Sequence, residues 1–403
     1  MLRRTITVWS YIEMAPVDPI LGITEAFKQD SNPNKINLGV GAYRDDKGKP
    51  WILPSVKKAE ASFKEADKEY DPISGSARFC KLSQELIFGK ALENVATTQT
   101  ISGTGALRVA GEFLKRHYDK PLYLPNPTWG NHIPIFKNSG ISVHSYKYFD
   151  PKTNGLDFSE MTNHFNTAPN GSIVLLHACA HNPTGVDLTF ENWEEILEIV
   201  KKKQHVVLFD MAYQGFSSGD PSKDARALRL FTEHSNELAG LLVCQSYAKN
   251  FGLYGERVGS LSIVGKDVKE KNRIMSQLKQ IIRPMYSNPP IHGSRLVVSI
   301  LSNPELKAQW HQDLKTMSNR IFSMRAALTD NLKKEGSTLD WSHITSQIGM
   351  FCYSGLTPEE VELLKSEYSI YLTKDGRVSM AGVSSDNVEY LAYSMHRVTK
   401  KRK

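Results

Sequence analysis

Apolar, β-branched runs bounded by turn residues recur through the middle of the chain, at 172–176, 205–209, 240–244 and 258–264. Each reads as a strand buried on both faces. Between the first two lies TFENWEEILEIVKKK (189–203), whose Trp193, Ile196, Leu197 and Val200 recur at helical spacing behind a threonine cap. The order strand, helix, strand predicts an α/β layer with a parallel sheet. Residues 303–335 carry Leu306, Trp310, Leu314, Met317, Ile321, Leu328 and Leu332 three, four or seven apart, with Pro304 at the start and Gly336 beyond the end. This predicts one long helix with a single apolar face, long enough to connect two domains. The remainder mixes a helix opening at Thr357-Pro358-Glu359-Glu360, a short strand at 370–373 and a last helix after Ser385, and no internal repeat is present.

A length of 403 residues exceeds what one hydrophobic core organises, whereas 40% hydrophobic and 23% charged residues are ordinary for a globular chain. Two domains are expected. The formal charge of +7 is spread along the sequence apart from a tail, Lys400-Lys401-Arg402-Lys403. That distribution fits a solvated basic surface attractive to anionic substrates better than a nucleic-acid site. Four scattered cysteines without C-x-x-C pairing suit a reducing compartment, and no apolar run approaches the ~18 residues of a membrane span. The first twelve residues, MLRRTITVWSYI, faintly resemble a transit peptide but are short for one.

Chemistry enters with SGTGALRVAGEFL (102–114), where small residues and hydroxyls precede a helix and offer free backbone N–H groups as a phosphate cradle. A dinucleotide fingerprint would need glycine where Arg108 stands, so a dehydrogenase is disfavoured. In HACAHNPTG (177–185), His177, Cys179 and His181 alternate, but three ligands on one extended stretch do not easily surround a tetrahedral ion, and no metal is expected. Asp210 ends another apolar strand in LFDMAYQGF, where an acid needs a cationic partner or else serves as a helix cap. Lys249 follows a strand within QSYAKNFGLYGERVG, and Arg257 comes eight positions later. A lysine, a strand-end aspartate, a phosphate cradle and an arginine together are what pyridoxal phosphate requires: an amine to join its aldehyde, an anion facing its ring nitrogen and anchors for its phosphate.

The motifs INLGVGAYRDD, QTISGTGALR, NPTWGNH, LLHACAHNPTGVD, FDMAYQGF, QSYAKNFGLYGERVG, RPMYSNPP, QIGMF and KDGRVSMAG extend from about residue 9 to 399. In order and spacing they resemble the aspartate aminotransferase family, pyridoxal-phosphate enzymes of fold type I. SYAKN, LYGERVG, RPMYSNPP and EMAPVDPILG are similar to its mitochondrial branch. The resemblance implies an α/β fold with a large domain (51–316) built on a mostly parallel seven-stranded sheet, and a small α/β domain from both chain ends (16–50 and 317–403) behind an N-terminal arm (1–15). It makes Lys249 the lysine that holds the cofactor and carries the proton, Asp210 the partner of the ring nitrogen supported by His132, and Trp129 the ring's stacking partner. Asn182 and Tyr213 would bind the phenolic oxygen; Ser102, Gly103, Thr104, Ser246 and Arg257 the phosphate, joined by Tyr70 of the neighbouring subunit. Arg377 would take the substrate's α-carboxylate, Arg283 of the other subunit the distal carboxylate, with Gly41, Trp129, Asn182 and Phe351 lining the pocket. Implied are a homodimer with shared sites, dicarboxylic amino and keto acids as substrates, a ping-pong transfer from L-aspartate to 2-oxoglutarate, and a mitochondrial-matrix location with a cytoplasmic alternative. Two readings stay open beside it: a broader enzyme accepting aromatic donors such as kynurenine or phenylalanine, and a non-catalytic basic binding protein. Two departures from the family pattern, Asp71 beside Tyr70 and a shortened stretch from Gly89 to Gln99, fall near the cradle and the expected subunit boundary.

Overall fold

The computed structural model describes residues 7–15, 19–39, 41–63 and 67–402. Arg3 and Arg4 of the basic N-terminus, residues 16–18 of EMAPVDPILG and Lys403 of the tail lie outside the described residues. Seven strands form one sheet: β1 (Val95–Ile101), β2 (Leu122–Asn126), β3 (Val143–Lys147), β4 (Ile173–His177), β5 (Val206–Met211), β6 (Gly240–Ser246) and β7 (Val258–Val264). Their spatial order is β1-β7-β6-β5-β4-β2-β3. From β6 to β3 every neighbouring pair is parallel, whereas β7 is antiparallel to both β6 and β1.

This topology decides where chemistry gathers. The ends of β4, β5 and β6 lie at one edge, with His177 beside Asp210 and Asp210 beside Cys244 in register. Because β7 runs the other way, its start reaches that same edge, with Gly259 opposite Ser246 and Val258 opposite Ile101. Ser102, Asp210, Ser246 and Arg257 thus converge from four strands distant in sequence, at the carboxyl edge where open α/β sheets bind ligands.

Helices cover both faces. α1 (Ser102–His117) packs on β6 and β7. α2 (Phe190–Lys203) starts in a capping box in which Thr189 and Asn192 satisfy each other's backbone N–H, which fixes the helix start anticipated from TFEN. Its Trp193 meets Phe209 of β5, and Phe209 stands edge-on to Phe231. α3 (Pro304–Lys334) is the long helix expected at 303–335. The Asn303 side chain accepts from the N–H groups of Glu305 and Leu306, and the apolar face from Trp310 to Leu332 is buried. Trp310 stacks on Phe251 at 4.6 Å between ring centres and donates its indole N–H to the Asn250 carbonyl at 2.8 Å. The same helix packs on the helices Pro54–Glu60 and His292–Ser302 and on the last helix, Val388–Thr399.

Away from the large sheet, early and late chain meet. Ile36–Asn37 pairs in parallel with Ile370–Tyr371, and Phe351–Tyr353 pairs antiparallel with Arg377–Ser379. Arg325 of α3, fully buried, donates to the carbonyls of Ile344, Gly349 and Phe351, and so holds the segment that delivers Phe351. The stretch from Gly89 to Gln99 closes compactly. Gly89, at φ +82°, ends the helix Ala77–Phe88, and the Gln84 side chain bonds the Leu92 N–H and the Val95 carbonyl. Asp71 offers its backbone carbonyl to the Asn288 amide at 2.8 Å.

Candidate active site

At the convergent edge lies a cavity of about 540 Å³. Its walls include Gly41, Ser102, Gly103, Thr104, Trp129, Asn182, Asp210, Tyr213, Ser246, Lys249, Arg257, Phe351 and Arg377, thirteen of the sixteen residues expected from the sequence. His132 sits immediately behind the wall, while Tyr70 and Arg283 do not face this cavity.

Asp210 is 8% exposed, and its Oδ2 lies 3.0 Å from His132 Nε2. Burial alone would raise its pKa, but the His132 hydrogen bond, with help from His177 and Lys249, brings the carboxyl below its ordinary value. It is therefore ionised and can only accept, so His132 Nε2 carries the hydrogen. His132 Nδ1 lies 2.7 Å from Thr128 Oγ1, a hydrogen bond that fixes the ring's orientation. Thr128 was not anticipated, although its place four residues before His132 in NPTWGNH was the available signal.

Lys249 lies with Nζ 5.3 Å from the centre of the Tyr213 ring. Burial lowers its pKa, Asp210 works against that and Arg257 adds to it. The net shift is downward, toward the neutral amine, the form that reacts with a carbonyl or removes a proton.

The anion end is built from backbone. α1 begins at Ser102 with no side chain capping its first N–H groups, and Ser102 itself has φ +59°. Ser102 Oγ and Ser246 Oγ stand 3.3 Å apart. Arg257, also left-handed at φ +53°, accepts on its carbonyl from the Ser102 N–H and donates from Nη1 to the Tyr254 carbonyl. Uncapped helix N–H groups, two hydroxyls and a guanidinium form a dianion site. Gly259 permits it, because a Cβ there would lie 2.4 Å from the Ser102 carbonyl carbon.

At the other end Arg377 is 5% exposed, with its guanidinium 4.2 Å from the Phe351 ring centre. Its Nε and Nη2 find no partner among the described residues, and neither do Asn182 Oδ1 and His177 Nε2 in the same wall. Leaving such atoms unpaired costs free energy, so this wall is built for a polar, anionic ligand.

The His177 and His181 rings lie 4.3 Å apart, but with Cys179 they do not bring three ligand atoms together. His177 Nδ1 accepts from the Asn182 N–H, Cys179 Sγ faces Met211 Sδ, and His181 Nδ1 meets Thr184 Oγ1. His177 instead groups with His132 and Asp210, all offering ligand atoms within 4.8 Å. Tyr254, which lines the cavity and accepts the Tyr43 N–H at 2.9 Å, was overlooked inside the very stretch that holds Lys249.

The family model described as aminotransferase class I and II matches residues 33–395. This chain belongs to the class I and II aminotransferases. It is similar to the mitochondrial aspartate aminotransferase of Xenopus tropicalis, 54% identical over 98% of this chain and 94% of that protein. Among solved structures it is similar to the aspartate aminotransferase from the cytoplasm of Saccharomyces cerevisiae, with TM-score 0.95, 42% identity and coverage of 98% of this chain and 99% of that one. An aromatic-amino-acid aminotransferase from Burkholderia pseudomallei covalently bound to pyridoxal phosphate superposes with TM-score 0.94 at 41% identity, covering 98% and 100% of the two chains. Pyridoxal phosphate is the cofactor of the aminotransferases, and the unpaired wall, the uncapped α1 and the Asp210 carboxylate fit its three ends. Amino and keto acids are the family's substrates. No helix among the described residues is long and apolar enough to cross a membrane.

Proposed function

We propose that this chain is an aspartate aminotransferase that moves the amino group of L-aspartate to 2-oxoglutarate, giving oxaloacetate and L-glutamate. The observation that carries the reading is Arg377, a buried guanidinium in the wall of the cavity that also contains Lys249 and Asp210, two of whose nitrogens have no partner among the described residues. When bound, pyridoxal phosphate supplies an aldehyde for amine exchange and an electron-withdrawing ring. The chain's residues do the rest. Ser102, Gly103, Thr104, Ser246 and Arg257 would grip the phosphate; Asn182 and Tyr213 would hold the phenolic oxygen; Trp129 would cover the ring; Asp210, kept ionised by His132, would hold the proton on the ring nitrogen. Lys249 Nζ would be the amine that joins the aldehyde and, when free, the base that holds and moves the substrate's α-proton. Arg377 binds the α-carboxylate as a planar fork, worth about 1.5–3 kcal/mol per charged hydrogen bond.

Tyr70 is 80% exposed, and Arg283 is turned onto Ser287 and Asn288 of its own loop, outside the cavity of its own chain. We read them as residues lent to the neighbouring subunit of a homodimer, Tyr70 to the phosphate and Arg283 to the distal carboxylate. The exposed Trp9, Tyr11 and Met14 suit an arm lying on that partner. The chain divides into this arm, a large domain over 51–316 and a small domain from 16–50 and 317–403; the pairing of Ile36 with Ile370 supports joining the two ends. The names of the relatives favour the mitochondrial matrix, with the yeast cytoplasmic protein as the alternative. An enzyme that also accepts aromatic donors is the second reading, favoured by the match to the Burkholderia structure.

Borohydride reduction of the yellow protein followed by peptide mapping tests the assignment. The label is expected on Lys249 alone, and Lys249→Ala is expected to lose multiple turnover, about 10²–10⁴-fold from the missing proton carrier. A label elsewhere, or normal turnover in the variant, would sink it.

A further inference from the structure

Two loops at the carboxyl edge of the sheet carry Asn182 and Tyr213, and each is folded around a carboxylate that has no part in the chemistry above. After β4, Asp187 Oδ2 accepts from the Ala180 N–H at 2.6 Å and Oδ1 from the His181 N–H at 2.8 Å. Ala180 holds φ +49°, a conformation that costs an L residue free energy, so both oxygens of Asp187 tie down a strained turn two residues before Asn182. After β5, Asp224 Oδ2 accepts from the N–H groups of Gly215, at 2.7 Å, and Ser218, at 3.3 Å. Gly215 has φ +80°, two residues after Tyr213. The two loops are built alike, a left-handed turn bonded to a carboxylate from a few residues further along the chain.

Neither carboxylate has a cation partner among the ion pairs of the described residues, and burial pushes both up to about 6. Asp187 raises the proton affinity of Asp224, and both raise that of Cys179, which places them around the same strand ends. Acids without a counter-charge, Asp224 buried and Asp187 partly so, are costly where an amide or hydroxyl could cap a turn more cheaply. The return on that cost is geometric: a carboxylate offers two oxygens, all acceptor, to two diverging N–H groups.

We propose that Asp187 and Asp224 are positioning residues for the cofactor's phenolic oxygen, each folding its loop so that Asn182 and Tyr213 reach that oxygen together. The inference rests on the cofactor assignment above. Two converging donors lower the proton affinity of the oxygen they share, and displacing either loop gives part of that effect back. Asp187 uses both oxygens, whereas both backbone bonds of Asp224 fall on Oδ2. In Asp187→Asn an NH₂ must oppose one N–H, while Asp224→Asn can still present its remaining oxygen. The two isosteric variants should therefore be unequal.

The test is the pH midpoint of the visible absorbance of the pyridoxal-phosphate-loaded protein, for wild type, Asp187→Asn, Asp224→Asn, Asp224→Ala and Tyr213→Phe. The melting temperature of each cofactor-free protein is measured in parallel. Asp187→Asn is expected to raise the midpoint by about half a unit or more, in the direction of Tyr213→Phe, with Asp224→Ala next and Asp224→Asn least. Should Asp187→Asn fail to fold, the ordering of the two Asp224 variants carries the test. Midpoints unmoved in the Asp187 and Asp224 variants, beside a clear shift in Tyr213→Phe, overturn the inference even if melting temperatures fall. A wild-type protein with no cofactor absorbance overturns the functional reading and this inference with it.

Discussion

Most of the residues that line the cavity sit in short motifs whose side chains announce their chemistry. Lys249 and Asp210 were named from local sequence, Asn182 and Arg377 through the family resemblance, and all four line one cavity. Relations between motifs were less legible, since nothing in NPTWGNH alone says that Thr128 orients His132 toward a carboxylate 78 positions on. His177 shows the same limit. Its alternation with Cys179 and His181 says nothing of its true neighbour: the fold sets it beside Asp210 with Nε2 unpaired and pushes its pKa down to about 3 by burial. An unfolded histidine titrates near 6.5, so between pH 6.5 and 3 the unfolded chain binds a proton that the folded one refuses. The contribution of His177 to stability is fully present above pH 6.5 and lost as pH falls, by about 1.4 kcal/mol per unit across that window. His177→Asn is expected to flatten the acid-side loss of stability of the cofactor-free protein in urea titrations run from pH 7 to 4. A variant whose stability falls as steeply as wild type would remove His177 from that account.

Among the elements, those with a clean apolar period were readable and those with polar interiors were not. α2, α3 and the strands from β4 to β7 follow from branched runs and caps. β1, VATTQTI, is almost wholly buried yet half hydroxyl and amide, because Thr97 pairs with Ser262 of β7 and with Gln84 of the helix Ala77–Phe88. Buried polar side chains that satisfy one another leave no apolar signature. β2 contains a proline and β3 is a largely exposed edge strand, so neither shows the buried pattern. The antiparallel β7 matters most, since it returns Arg257 to the edge where α1 begins. Gly259 lets that junction close, and a Cβ there would also lie 2.8 Å from the Gln245 carbonyl. Gly259→Ala is expected to destabilise the protein by about 1–3 kcal/mol, as overpacking does, and to weaken cofactor binding more than it lowers the melting temperature of the apoprotein would imply. Equilibrium dialysis against pyridoxal phosphate checks this, and unchanged affinity would show that the cradle tolerates the shift.

At the scale of the whole molecule, two arginines line the cavity of the single chain, and with Arg257 at the phosphate end only Arg377 is left for a dicarboxylate, which has two ends. Arg377 answers one, and Arg283, outside the cavity and held on its own loop by Ser287, is the candidate for the other once a second copy is present. The sequence placed both arginines in motifs, but only the fold separates them, one buried beside Phe351 and one on the surface. The most direct test is the ratio of kcat/KM for aspartate to that for phenylalanine, each with 2-oxoglutarate, in wild type and in Arg283→Ala. A bidentate charge-assisted contact at about 1.5–3 kcal/mol predicts an aspartate-preferring wild type whose kcat/KM for aspartate falls about 10–150-fold in the variant, with phenylalanine use changed only a few-fold. Equal losses on both substrates, or a wild type that turns over phenylalanine as well as aspartate, would contradict it.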